Sequence, residues 1–181
     1  RGLGDVYKRQ VLSLSTSHAL KSFFKEPRPN LVYLSEQALP DDAQLTPQTF
    51  YQLAKPERSQ AIAEALTELQ TRTSAVKLSP KIHQHWEDEI GYSFPSGHTI
   101  FAVTLVLTAS YYLLLAGLPL FTSALLVWGL LMGLSRMLLG MHWPQDVLFS
   151  TLLAAIISSL SIFLVSKMRL FTQRFAKTSS Q

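Results

Sequence analysis

The sequence predicts an all-α membrane protein: a bundle of apolar helices with a small helical insertion on one face. Three observations predict it. Three apolar runs, 97–116, 118–136 and 145–166, each approach the length of about 20 residues that a bilayer core demands. Residues 30–93 are a different material, holding most of the acidic residues and no membrane-length apolar run. Between Glu89 and Arg136 there is no Asp, Glu, Lys or Arg at all, and His98 is the one histidine in that stretch.

The 181 residues are 48% hydrophobic with a net charge of +4, a length that fits one domain. No cysteine occurs, which excludes disulfides, thiol catalysis and cysteine-held metal. No basic run interleaves with aromatics, so nucleic acid is not an expected partner.

Residues 1–10 show neither apolar periodicity nor a signal-peptide pattern and read as foreign or as a truncation scar. Residues 11–24 are apolar but too short for a span, so they read as the outer part of a helix whose beginning is missing. On this reading the chain is a C-terminal fragment, with a single membrane domain over 11–170. Lys21 sits near the end of that partial helix, and Pro27 and Pro29 stop it. In the insertion, Thr46-Pro47 and Lys55-Pro56 read as helix starts. Ile62, Leu66 and Leu69 recur at helical spacing, and Glu68 and Arg72 form an i,i+4 pair. Two or three short helices over the membrane face are expected. His83 and His85 fall in its polar end and are expected to be solvated. Trp86 and Tyr92 are expected in an interfacial aromatic belt.

Phe94-Pro95-Ser96-Gly97-His98-Thr99 opens the first full span, and Gly117-Leu118-Pro119 breaks it from the second. Residues 171–181 form a basic tail; from Lys167 onward come Lys167, Arg169, Arg174 and Lys177 with no acid. The positive-inside rule puts that tail in the cytoplasm. Counting back, Lys21, Arg28, Ser96, Gly97, His98, Arg136, His142 and Asp146 all face the opposite side.

Ionisable groups at the ends of membrane segments are costly and point to function. Three cations and a helix N-terminus suit a multiply charged anion. Arginine favours two-point contact with phosphate oxygens. Pro144 places Asp146 in the first turn of the last helix, four residues after His142, where its carboxylate can orient the imidazole. Two histidines in one anion pocket suggest a nucleophile and a general acid. The bland alternative makes Arg136 and His142 interfacial anchors and Asp146 a helix cap. A metal site of His98, His142 and Asp146 has the right ligand types, but three nearby cations oppose a divalent ion.

Lys21-x6-Arg28-Pro29, then Pro95-Ser96-Gly97-His98, then Ser135-Arg136-x5-His142-x3-Asp146 resemble the three-part signature of the type 2 phosphatidic acid phosphatase superfamily. The parts are intact and in order, and the resemblance runs over roughly residues 11–170. The wording of the first and third parts, with the long insertion, is similar to a gram-negative bacterial branch. The resemblance implies the helical core shared with vanadium haloperoxidases and six membrane helices, so the first two and part of the third would be missing here. It implies a site facing the periplasm of the cell inner membrane. It implies His142 as nucleophile oriented by Asp146, and His98 as acid to the leaving oxygen. Lys21, Arg28, Ser96, Gly97 and Arg136 would hold the phosphate. No metal, cofactor or obligatory protein partner is implied; the partners are the bilayer and a lipid phosphate. Phosphatidylglycerophosphate, undecaprenyl diphosphate, diacylglycerol pyrophosphate and phosphatidic acid remain open as substrates. A lipid phosphotransferase and a non-catalytic lipid or anion transporter remain as other functions. A haloperoxidase reading is weak, because those relatives are soluble.

Overall fold

The structure, a computed structural model, describes residues 20–37, 45–72 and 78–178, with side chains as far as Lys167. The expected foreign segment 1–10 and most of the partial span 11–24 lie outside the described residues. Two bodies of helices share one end, and no strand occurs among the described residues.

Among the described residues the insertion is a cap of four helices, α1 (Pro29–Gln37), α2 (Pro47–Phe50), α3 (Lys55–Arg72) and α4 (Pro80–Asp88). Local chemistry starts the last three. Thr46 caps α2 by accepting from the Thr49 amide, with Pro47 in the first turn. Glu57 reaches back to the Ala54 amide (2.9 Å) at the head of α3. Ser79 accepts from the Ile82 amide before α4. The apolar faces then meet in a water-type core of Leu31, Leu34, Phe50, Ile62, Leu66, Leu69 and Trp86. Trp86 is therefore not in an interfacial belt. It is 7% exposed, and its indole N–H donates to the Leu139 carbonyl (2.9 Å), so both its ring and its polar tip are occupied inside. Tyr92 stacks on Tyr51, with ring centroids 4.2 Å apart.

The other body holds α5 (Gly97–Leu115), α6 (Pro119–Leu138) and α7 (Pro144–Thr178). Each is long and apolar enough to cross a membrane. Helix α5 packs along both α6 and α7, which touch each other little. Gly117, at φ 73°, turns the chain from α5 into α6. Gly129 and Gly133 make a G-x-x-x-G face on α6. A Cβ at Gly129 would lie 2.8 Å from Val106 Cγ2, so glycine is what lets α6 approach α5. Helix α7 runs on to Thr178, so the helix extends into the basic tail. No Gly or Pro follows Pro144, and Lys, Met, Arg and Leu around 167–170 sustain a helix.

Hydrogen bonds lace the two bodies together through three loops. The Ser93 amide donates to Glu26 O (2.9 Å) and the Asn30 amide to Gly140 O (2.9 Å). The Trp143 indole donates to Pro27 O (2.9 Å). Gly140 takes φ 67°, where a side chain would be strained. Residues 25–28, 89–93 and 139–143 thus form one seam, which holds Arg28, Glu89 and His142 and lies beside the helix ends that carry the other candidate residues.

Candidate active site

Because α5 and α6 are antiparallel, the start of α5, the end of α6 and the start of α7 share one end of the bundle. His142 lies in the loop before α7 and is 3% exposed. Its amide donates to Arg136 O (3.3 Å). Its Nδ1 is 3.5 Å from Asp146 Oδ2, and the Asp146 side chain is fully buried. The same Oδ2 accepts the Trp143 amide (2.9 Å), capping α7 and fixing the carboxylate. Asp146 therefore caps and faces His142 at once, so the bland and functional readings coincide in one atom. Nδ1 is sealed from solvent, whereas Nε2 makes no hydrogen bond among the described residues and is not sealed. Burial holds the imidazole below the ordinary histidine range; Arg28 and Lys21 add to this, and the Asp146 carboxylate opposes it.

His98 is exposed at the first turn of α5. Ser96 is fully buried, and its Oγ accepts from the Thr99 amide and hydroxyl (3.4 and 2.9 Å). Its own amide donates to Ser150 Oγ (2.8 Å). In this structure Ser96 builds the helix start and does not open onto the site. The Gly97 and His98 amides follow it without an acceptor among the described residues, as helix N-termini leave them.

Arg28 is 3% exposed. Its guanidinium donates to Gly91 O (2.7 Å), Met141 O (3.2 Å) and Glu89 Oε2 (2.7 Å). With a further contact from Nη1 to Met141 Sδ (3.7 Å), Arg28 pins the loop of His142 to the seam and keeps one N–H, on Nη2, to spare. Glu89 was not expected here. Burial pushes its carboxyl up, but Arg28, with His98, Lys21 and His85, holds it below the ordinary carboxylate range. Lys21 is half-buried, and the charges of Arg28, Glu89 and Asp146 act on it. Arg136 Nη1 lies 3.3 Å from His85 Nε2. His85 is thus not a solvated surface group: α4 turns it inward, half-buried, against the end of α6. His83, on another face of α4, pairs with Gln70 (2.8 Å).

Lys21, Arg28, Gly97, His98, Arg136, His142 and Asp146 thus converge, with Ser96 behind them. Three cations and two open amides suit a phosphoryl group. No cluster of three metal-type ligands occurs among the described residues. A detectable signal existed for Glu89: it is the last charged residue before the uncharged run that Arg136 ends. His85 carried none beyond lying four residues before Glu89.

The PAP2 superfamily profile matches residues 10–169. The chain belongs to the PAP2 superfamily. It is 41% identical over 159 residues to phosphatidylglycerophosphatase B of Haemophilus influenzae, covering 85% of this chain and 61% of that one. It is 33% identical over 149 residues to phosphatidylglycerophosphatase B of Escherichia coli, covering 82% and 54%. An undecaprenyl-diphosphatase of Sulfolobus acidocaldarius matches at 37% over 75 residues, 39% of this chain and 32% of that one. The chain thus spans little more than half the length of the two phosphatidylglycerophosphatases. Its similarity to them extends the gram-negative resemblance of the first and third motifs. With its apolar helices, this PAP2 chain is a membrane protein.

Proposed function

We propose that the protein is an integral-membrane lipid phosphate phosphatase that hydrolyses phosphomonoester or diphosphate head groups through a phosphohistidine. The observation that carries this reading is the sealed His142 Nδ1 beside Asp146, which leaves Nε2 as the nucleophile. Nε2 attacks phosphorus, and the bond to the leaving oxygen breaks as His98 delivers a proton to it. The imidazolium that forms is stabilised by Asp146. Lys21, Arg28, Arg136 and the Gly97 amide take up charge on the non-bridging oxygens. Ser96 supports that amide from behind. His98 then takes a proton from water as its oxygen attacks phosphorus, releasing phosphate and free His142.

The names of the relatives favour phosphatidylglycerophosphate and undecaprenyl diphosphate as substrates. The basic C-terminal stretch supports a cytoplasmic C-terminus and a site open to the periplasmic face of the inner membrane. The test is phosphate release by the membrane-embedded protein from phosphatidylglycerophosphate, undecaprenyl diphosphate, diacylglycerol pyrophosphate and phosphatidic acid, with and without EDTA. Release from at least one, undiminished by EDTA, is expected. No release from any would return the transporter reading. Transfer to a second lipid in place of free phosphate would make it a phosphotransferase. Loss on chelation, restored by a divalent ion, would put a metal on His98, His142 and Asp146.

A further inference from the structure

We propose that His85 is a positioning residue for Arg136: by accepting from one edge of the guanidinium, it aims the remaining N–H groups at the phosphate. This rests on the phosphatase reading above. Arg136 ends α6, and its Nη1 is 3.3 Å from His85 Nε2. A guanidinium only donates, so Nε2 must carry a lone pair and the proton of this imidazole sits on Nδ1.

The other edge of Arg136 is unsatisfied: its Nε is buried and has no partner in the described structure. A buried, unpaired guanidinium N–H is a costly arrangement unless something arrives to accept from it. A phosphoryl oxygen is the acceptor that two-point arginine contact favours. Arg136 is thus held by the cap at Nη1, while Nη2 makes no hydrogen bond among the described residues, is not sealed, and is the N–H group open to a phosphoryl oxygen. The residue is also tied to the proposed nucleophile, because its carbonyl accepts the Met141 and His142 amides (3.1 and 3.3 Å). A shift of the Arg136 side chain would therefore move the charge clamp relative to a nucleophile whose backbone it already holds. The cap helix α4 is on this view part of the site, contributing an acceptor to an arginine from the membrane bundle.

The experiment compares His85→Ala, His85→Gln and His85→Asn in the membrane-embedded protein, with His83→Ala as the control on the same helix. A glutamine amide oxygen reaches roughly where Nε2 lies; that of asparagine stops near the Nδ1 position. Misplacing a clamp by about 1 Å can lower rate about 10²-fold. A loss of that order in kcat/KM is expected for Ala and Asn. Inhibition by orthovanadate, a phosphate-like oxyanion, should weaken in parallel. Gln should restore most of both, and His83→Ala should match the unmodified protein. If Ala retains full activity, or if Gln is as impaired as Asn, the proposal is overturned. Where Ala fails to fold, the Gln and Asn pair decides alone. If the unmodified protein releases no phosphate from any lipid, it is the phosphatase reading that falls.

Discussion

The cap and the membrane bundle are built inside out relative to one another. In the cap, Leu31, Leu34, Ile62 and Leu66 are at most 2% exposed, while Glu64, Glu68 and Arg72 stay outside. In the bundle, Leu120, Leu130 and Leu138 are 75–79% exposed, and the interior holds Ala102, Thr104, Thr108, Gly129, Ser150 and Ala154. Each half is therefore matched to a different solvent. Water drives apolar side chains together. Lipid gives no such drive, so helices associate through close backbone approach and small residues. The candidate site lies on the seam, where a soluble-type cap supplies Arg28, Glu89 and His85, and the bundle supplies Arg136, His98 and Asp146.

The largest effects are expected at that seam. His142→Ala should lower turnover by roughly 10⁴-fold or more and abolish any trapped phosphoenzyme, as loss of a nucleophile does. His98→Ala should cost about 10²–10⁴-fold on a lipid phosphate. That loss should shrink for an aryl phosphate, whose leaving oxygen departs without a proton. Radiolabel trapping and the two substrates together check the assignment. Trapping that survives His142→Ala and vanishes with His98→Ala would exchange the roles. Wild-type turnover in both variants would detach the site from the seam.

The inside-out comparison itself is sharpened by a matched pair of truncations. Leu66→Ala empties a cap position that is 1% exposed and should destabilise by about 2–5 kcal/mol. Leu130→Ala, at a position 75% exposed on the bundle, should change stability by less than about 1 kcal/mol. Thermal unfolding in lipid nanodiscs reads both. Equal losses would mean that the outer face of α6 is packed against protein rather than lipid.

The smallest expected effect is a shift in pH dependence. Burial lowers the His142 pKa, so the neutral, nucleophilic imidazole persists below about pH 6.5, and the acid limb of kcat/KM should lie under that value. Lys21→Met removes a charge that lowers this pKa, so the limb should move to higher pH. Asp146→Asn removes an influence that raises it, so the limb should move to lower pH. A pH profile in which both move the same way would separate that limb from His142.

Much of this was legible in the residues. Apolar runs and the breaks at Gly117 and Pro144 mark the three long helices, because hydrophobic length and helix punctuation act over a few turns. Thr46-Pro47 and Lys55-Pro56 mark cap-helix starts for the same local reason, whereas the start at Ser79 was not read. Charge marked Arg136, His142 and Asp146, since ionisable groups beside membrane segments are expensive wherever the chain goes next. What sequence alone did not disclose is which groups each cation meets. Arg28 finds Glu89 across 61 positions, and Arg136 finds His85 across 51. Such pairs depend on how the cap seats on the bundle, and no local period records that. Trp86 looked like a belt residue because it lies near the point where the chain re-enters the apolar runs, and it became core because α4 turns its ring toward Gly140 and its N–H toward Leu139. Ser96 shared a motif with Gly97 and His98, but the α5–α7 contact sealed it against Ser150. The sequence determined the helices, their solvents and the end of the bundle that carries the charges, because those follow from side-chain transfer and backbone propensity. Packing settled which donors face inward as scaffold and which stay accessible, because burial and hydrogen-bond satisfaction belong to packed neighbours rather than to single residues.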